Sequence, residues 1–197
     1  MRIAAAFACA LILICLGCVR GHAERRVALV IGNGAYRETP VLVNPKNDAA
    51  DVGRSLDRLG FKTIVATDLD RNGMIDALDR FSHMIADAEI ALVYYSGHAM
   101  QYDGRNYLLP VDAQLSSAAD VNRLRLTLLD DIIDVLQAAP GAHVIVLDSC
   151  RNNPMENELK RRVVALPDRN RNGIPTRGLV RIPAATGMLI VYATQSG

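Results

Sequence analysis

Two of the 197 residues have types and positions that could share one reaction. His98 follows the apolar run Ala91-Leu-Val-Tyr-Tyr-Ser-Gly97, and Cys150 follows Val144-Ile-Val-Leu-Asp-Ser149, 52 positions later. A thiol is a weak nucleophile until it loses its proton, and a neighbouring imidazole is able to take or hold that proton. Attack on a carbonyl also creates an oxyanion, which needs donors already in place. The backbone N–H groups of Cys150 and of Ala99, the residue after His98, are positioned to supply them. A lone cysteine is most often a small buried hydrophobe. Its place just past one apolar run, with Gly-His just past another, favours the chemical reading. His83 falls in a helical pattern and His143 opens a strand, so both read as structural or surface residues.

Such a pair requires two strands that end at the same edge. Arg26-Val-Ala-Leu-Val-Ile31 is a continuous apolar run rich in β-branched residues and closed by Gly32-Asn33-Gly34, the pattern of a strand covered on both faces. Ala49, Val52, Leu56 and Leu59 recur at helical period between Asn47 and Leu59, with Gly60 as the C-cap. Phe61–Ala66, Ile90–Tyr95, His143–Leu147 and Met188–Ala193 read as further strands, and Met74–Ala88 and Leu126–Ala138 as helices. Strand and helix alternate, and right-handed crossovers then build a mostly parallel central sheet in an α/β/α arrangement. In such open sheets ligands bind beyond the carboxyl ends of the strands, where His98 and Cys150 both stand.

Two stretches interrupt the alternation. Gln101–Asp120 is a long polar connection holding Asn106-Tyr-Leu-Leu-Pro110, which suggests a short hairpin. Residues 152–183 form a longer one that carries Lys160-Arg161-Arg162, Asp168-Arg-Asn-Arg-Asn-Gly173 and Arg177. A connection of that length in a compact domain is usually functional or disordered.

Composition narrows the classes. With 22 basic against 21 acidic side chains the chain lacks the basic footprint of a nucleic-acid binder. At 50% hydrophobic and 22% charged it is not disordered throughout. Arg2, the apolar run Ile3–Leu16 and Gly21-His22-Ala23 have the pattern of a secretory signal peptide cut after Ala23, which predicts export to a periplasmic or extracellular location without a membrane span. Lipoprotein processing at Cys18 is the rival reading of the same stretch. Cys9, Cys15 and Cys18 would leave with that leader, so Cys150 would be the single thiol of residues 24–197, with no intramolecular disulfide and no cysteine-based zinc site.

The two strand ends also carry a resemblance. Tyr94-Tyr-Ser-Gly-His98 resembles the Tyr-Ser-Gly-His block of metacaspases and related caspase-like peptidases, and Leu147-Asp-Ser-Cys150 resembles their Asp-Ser-Cys block. Arg26–Asn33 is similar to the family's first strand and Asn47-Asp48-Ala49 to its following Asn-Asp block, so the likeness runs over nearly all of residues 25–197. In caspases, too, about 50 residues separate the histidine from the cysteine. The resemblance implies a caspase-like α/β/α sandwich and a cysteine endopeptidase acting on protein or peptide substrates without a required cofactor. It implies His98 as general base and acid, Cys150 as nucleophile, and the amides of Ala99 and Cys150 as the oxyanion hole. It also implies Asp48 and Asp148 as the walls of an S1 pocket for Arg or Lys. For Asp48 by itself, capping of the helix that starts nearby is the alternative.

The chain departs from the family pattern. Ala99 replaces the usual Gly after the histidine, and Arg151-Asn152-Asn153 replaces His-Ser-Gly after the cysteine. An alanine amide still donates, and Arg151 should lower the thiol pKa by charge attraction. The final strand and helices that the family carries after Met188–Ala193 are expected but mostly absent from the 197 residues. A catalytically silent caspase-like scaffold is therefore the competing reading. The basic residues of the 152–183 connection offer self-processing sites at Lys160, Arg161, Arg162 and Arg177.

A different chemistry is suggested by Asp68-Leu-Asp70-Arg-Asn72-Gly73-Met-Ile-Asp76-Ala-Leu-Asp79. Its oxygens fall at loop positions 1, 3, 5, 9 and 12 of an EF-hand, with Gly at position 6. The preceding residues read as a strand, however, and Asp76 and Asp79 equally fit the first turns of the next helix. Calcium as an activator is instead what the resemblance to metacaspases implies, through other acidic clusters. Gly32-Asn-Gly34 lacks the third glycine and the closing acid of a dinucleotide site.

Overall fold

The computed structural model describes residues 24–102, 105–114, 129–149 and 186–193. The expected leader of residues 1–23, Cys150 and the 152–183 connection with Lys160, Arg161, Arg162 and Arg177 lie outside the described residues. In chain order the elements are β1 (Arg26–Gly32), α1 (Pro45–Arg58), β2 (Phe61–Thr67), α2 (Arg71–Met84), β3 (Ile90–Ser96), β4 (Ala99–Tyr102), β5 (Arg105–Leu108), α3 (Leu129–Gln137), β6 (Ala142–Asp148) and β7 (Met188–Ala193).

The main sheet runs β2-β1-β3-β6-β7, and each of its described pairings is parallel. Strand alternation sends successive side chains to opposite faces. Val27, Leu29 and Ile31 of β1 turn to the face shared with Met74, Ala77 and Phe81 of α2 and Leu129, Ile132 and Leu136 of α3. Ala28 and Val30 turn to the other face, against Ala49 and Leu56 of α1 and Tyr94 of β3. The central strands therefore read as continuous apolar runs because both faces are covered. This is the expected three-layer α/β/α sandwich.

The ends of the elements hold small differences from expectation. α2 begins at Arg71, one turn before Met74, because the carboxylate of Asp70 caps it by accepting from the Gly73 N–H at 2.8 Å. It ends at Met84 rather than Ala88. The expected hairpin exists as β4 and β5, pairing Ala99 with Leu108 through Tyr102 with Arg105. It starts immediately after His98, earlier than the Asn106 block suggested.

Helix α1 is seated tightly on β1. A Cβ on Gly32 would lie 2.2 Å from the Pro45 carbonyl oxygen and 2.7 Å from the Ala49 Cβ, so only glycine lets the helix come this close. That seat brings the first turn of α1 to the carboxyl edge of the sheet.

Candidate active site

Ser96 and Asp148, the last residues of β3 and β6, are register partners in the sheet. The Gly97 N–H donates to the Asp148 carbonyl oxygen at 3.3 Å, so the two strand ends stay together beyond the ladder. His98 stands two residues past Ser96, and Cys150 two residues past Asp148. The structure thus brings the His98 side of the expected dyad to the edge where β6 delivers the chain to Ser149. The thiol itself falls outside the described residues.

His98 is buried, with 6% of its surface exposed. Its Nε2 lies 2.8 Å from the Pro40 carbonyl oxygen, in the connection between β1 and α1. A carbonyl only accepts, so Nε2 carries the proton and the neutral ring keeps Nδ1 as its basic atom. Burial pushes the His98 pKa below the ordinary 6.5, and the Pro40 carbonyl partly pulls it back up. The imidazole is therefore a neutral base in a fixed tautomer at neutral pH.

The backbone around His98 is held from both sides. Its N–H donates to the Tyr36 hydroxyl at 2.8 Å, and its carbonyl accepts from the Tyr95 hydroxyl at 2.7 Å and from the Leu109 N–H at 2.9 Å. The Tyr36 ring also packs against the imidazole, with centroids 4.5 Å apart and planes tilted by 48°. Because the His98 carbonyl bonds to the Leu109 amide, Ala99 and Leu108 form a non-hydrogen-bonded pair of the antiparallel ladder. The Ala99 N–H consequently turns away from β5, as a donor for an oxyanion requires.

Asp48 and Asp148 are brought to one place. Asp48 lies in the first turn of α1, where Asn44 holds the N-cap position, so Asp48 is not the helix cap. The Tyr94 hydroxyl donates to Asp148 Oδ2 at 3.2 Å. The Asp48 pKa is raised by burial first and by the negative charges of Asp148 and Asp51, against a downward pull from the Ser96 hydroxyl. Burial and the Asp148 charge likewise hold the Tyr94 phenol protonated far above its usual range. The charge of Asp148 thus disfavours a second negative charge at Asp48.

The acidic stretch Asp68–Asp79 does not form the calcium loop that its spacing suggested. From Arg71 onward it is helix, which carries Asn72, Asp76 and Asp79 on α2. Asp68 takes a left-handed backbone, φ 53°, and its Oδ1 accepts from the Gly34 and Ala35 N–H groups at 2.9 Å each. Asp70 is occupied as the α2 cap. The oxygens read as ligands are thus engaged with backbone amides or spread along a helix. Among the described residues no group of three or more His, Cys, Asp and Glu side chains could hold a metal ion. Nor is any described helix long and apolar enough to cross a membrane.

Comparison with known proteins agrees with this fold. The family profile of the caspase domain matches residues 25–197. The human mucosa-associated lymphoid tissue lymphoma translocation protein 1 (Homo sapiens) and its mouse homologue (Mus musculus) are each 32% identical over 130 residues. That match takes in 66% of this chain and 15% of the length of either relative. The crystal structure of a protein from Geobacter sulfurreducens superposes with a TM-score of 0.51 at 18% identity, covering 68% of this chain and 54% of the other. At that identity it speaks for the α/β fold alone.

Proposed function

The chain belongs to the caspase-domain family of cysteine peptidases, and from that premise we propose that it is an endopeptidase which cleaves after Arg or Lys with Cys150 as nucleophile and His98 as base. The observation that carries this reading is the arrangement of His98: buried, its tautomer fixed by Pro40, at the strand end beside the one that leads to Cys150. Nδ1 accepts the thiol proton and the thiolate attacks the carbonyl carbon of the scissile bond. The resulting oxyanion is stabilised by the Ala99 and Cys150 N–H groups. The imidazolium then protonates the departing amine, and the same base activates a water that hydrolyses the thioester.

The preference for a basic residue rests on Asp48 and Asp148, which face one another's charge at the same edge. A guanidinium pairs with two carboxylates with bidentate geometry and relieves their repulsion. Cleavage within the 152–183 connection at Lys160, Arg161, Arg162 or Arg177, and export under a leader of residues 1–23, belong to the same proposal.

Peptides ending in Arg, Lys or Asp before the reporter group test the reading, assayed with wild type and Cys150→Ala. Wild type should release the reporter after Arg and Lys and spare Asp, and Cys150→Ala should release none. Hydrolysis of none of the three by a folded wild type would leave a silent scaffold as the function. Mass spectrometry of both chains tests the self-processing, which fails if their fragments are identical.

A further inference from the structure

Tyr36 and Tyr95 are two buried phenols that the proposed reaction does not use. Their hydroxyls lie 3.2 Å apart, and both reach the Leu109 carbonyl oxygen, Tyr95 at 3.0 Å and Tyr36 at 3.2 Å. The hydrogens can be assigned without conflict. Tyr95 donates to the His98 carbonyl, Tyr36 donates to Leu109, and the Tyr36 oxygen accepts the His98 N–H. Each phenol thus grips one end of the same residue, and Tyr36 also anchors to the segment just after β5. Gly97 leaves room for the pair: a Cβ there would lie 2.7 Å from each phenol oxygen.

We propose that Tyr36 and Tyr95 are positioning residues that clamp the His98 backbone and fix where its imidazole stands. The inference rests on His98 being the catalytic base. The clamp acts through backbone atoms, so it adds no group to the reaction and changes only the placement of one. Tyr36 adds a second effect, because its ring covers the imidazole and keeps water from it. Burial raises the Tyr36 pKa to about 12 and that of Tyr95 well above 10, so both hydroxyls stay protonated where the base works.

The test uses Tyr36→Phe, Tyr95→Phe and Tyr36→Leu in the full chain. Three quantities are measured on each: kcat and KM on an Arg peptide, the imidazole pKa of His98 by NMR titration, and the thermal midpoint. Tyr36→Phe keeps the ring but orphans the His98 N–H. It should lower kcat by roughly 10- to 100-fold with KM within about twofold, because misplacement of a reacting group acts on the chemical step. Tyr36→Leu should in addition raise the imidazole pKa toward the ordinary value, and Tyr36→Phe should restore most of that shift. Unchanged kcat in the folded Phe variants, or an unchanged imidazole pKa in folded Tyr36→Leu, would overturn the proposal. So would a loss of activity that only tracks the unfolded fraction. If wild type cleaves no peptide, the peptidase reading fails, and the imidazole titration still decides whether the phenols set the state of His98. Should Tyr36→Leu not fold, the two Phe variants carry the decision.

Discussion

The imidazole Nε2 of His98 lies 2.8 Å from the carbonyl oxygen of Pro40, a backbone atom 58 residues earlier in the chain. A side-chain carboxylate in that position would titrate and would pull the imidazole pKa strongly upward. A carbonyl orients the ring and fixes the tautomer with a weaker pull, and burial therefore wins.

The pH profile should follow. With its pKa lowered from 6.5, His98 stays neutral and basic further into acid than an exposed histidine would. The acidic limb of kcat/KM for an Arg peptide should fall below pH 6.5, as steady-state rates across pH 4.5 to 8 will check. Stability has the same sign. Below 6.5 the unfolded chain binds a proton that the fold resists, so stability should fall as pH drops from 6.5 through the lowered value and level off beneath it. Urea titrations of wild type and His98→Gln should differ in slope over that window alone.

Asp148→Asn should raise KM for an Arg peptide by roughly 30-fold or more, because it leaves a bound cation facing one carboxylate instead of two. Asp48→Asn, in the first turn of α1, should likewise raise KM, by roughly tenfold or more. Since the Asp48 pKa is raised above 3.8, affinity for a basic P1 residue should begin to weaken at a higher pH than an ordinary aspartate would allow. Kinetics on matched Arg and neutral peptides separate pocket from scaffold. Equal losses on both would rule out the S1 role.

Asp70→Ala removes the cap of α2 and should destabilise the fold by about 1 kcal/mol. Addition of calcium should leave the unfolding midpoints of both proteins where they were. A calcium-dependent gain in wild type that Asp70→Ala loses would restore the metal reading of residues 68–79.

Gly32→Ala should destabilise by roughly 2 to 3 kcal/mol, because the added methyl meets the Pro45 backbone, which has nowhere to go. Gly53→Ala meets the tip of Val65 Cγ2 at 2.5 Å, which a rotation of a half-exposed side chain relieves. Helix propensity then offsets the remaining strain, and the change should be near neutral. Denaturant midpoints of the two variants test the contrast.

The strands were legible because burial on both faces writes them as unbroken apolar runs, and β1, β3 and β6 lie within a residue or two of their expected ends. His98 and Cys150 could be picked out because each follows such a run. Asp48 could be placed only by resemblance, since nothing in a helical first turn says which strand end it will face. The start of α2 is hidden in the sequence because Asp70 fits a metal-ligand spacing as well as a helix cap. Pro40 carried no signal at all: every residue has a carbonyl, and only the path of the β1–α1 connection brings this one to the imidazole. The sequence assigns no role to Tyr36 or Tyr95, because a phenol's partner is decided by folding.

The register that pairs Ser96 with Asp148 has a consequence for how this protein can change. An inserted residue inside β3 or β6 would throw everything beyond it to the opposite side of the sheet and part the two strand ends. An insertion in the connections between the strands leaves that alignment untouched. Lineages of this fold are thus free to lengthen, shorten or rewrite the loops at this edge, while the distance between the two strand ends stays locked.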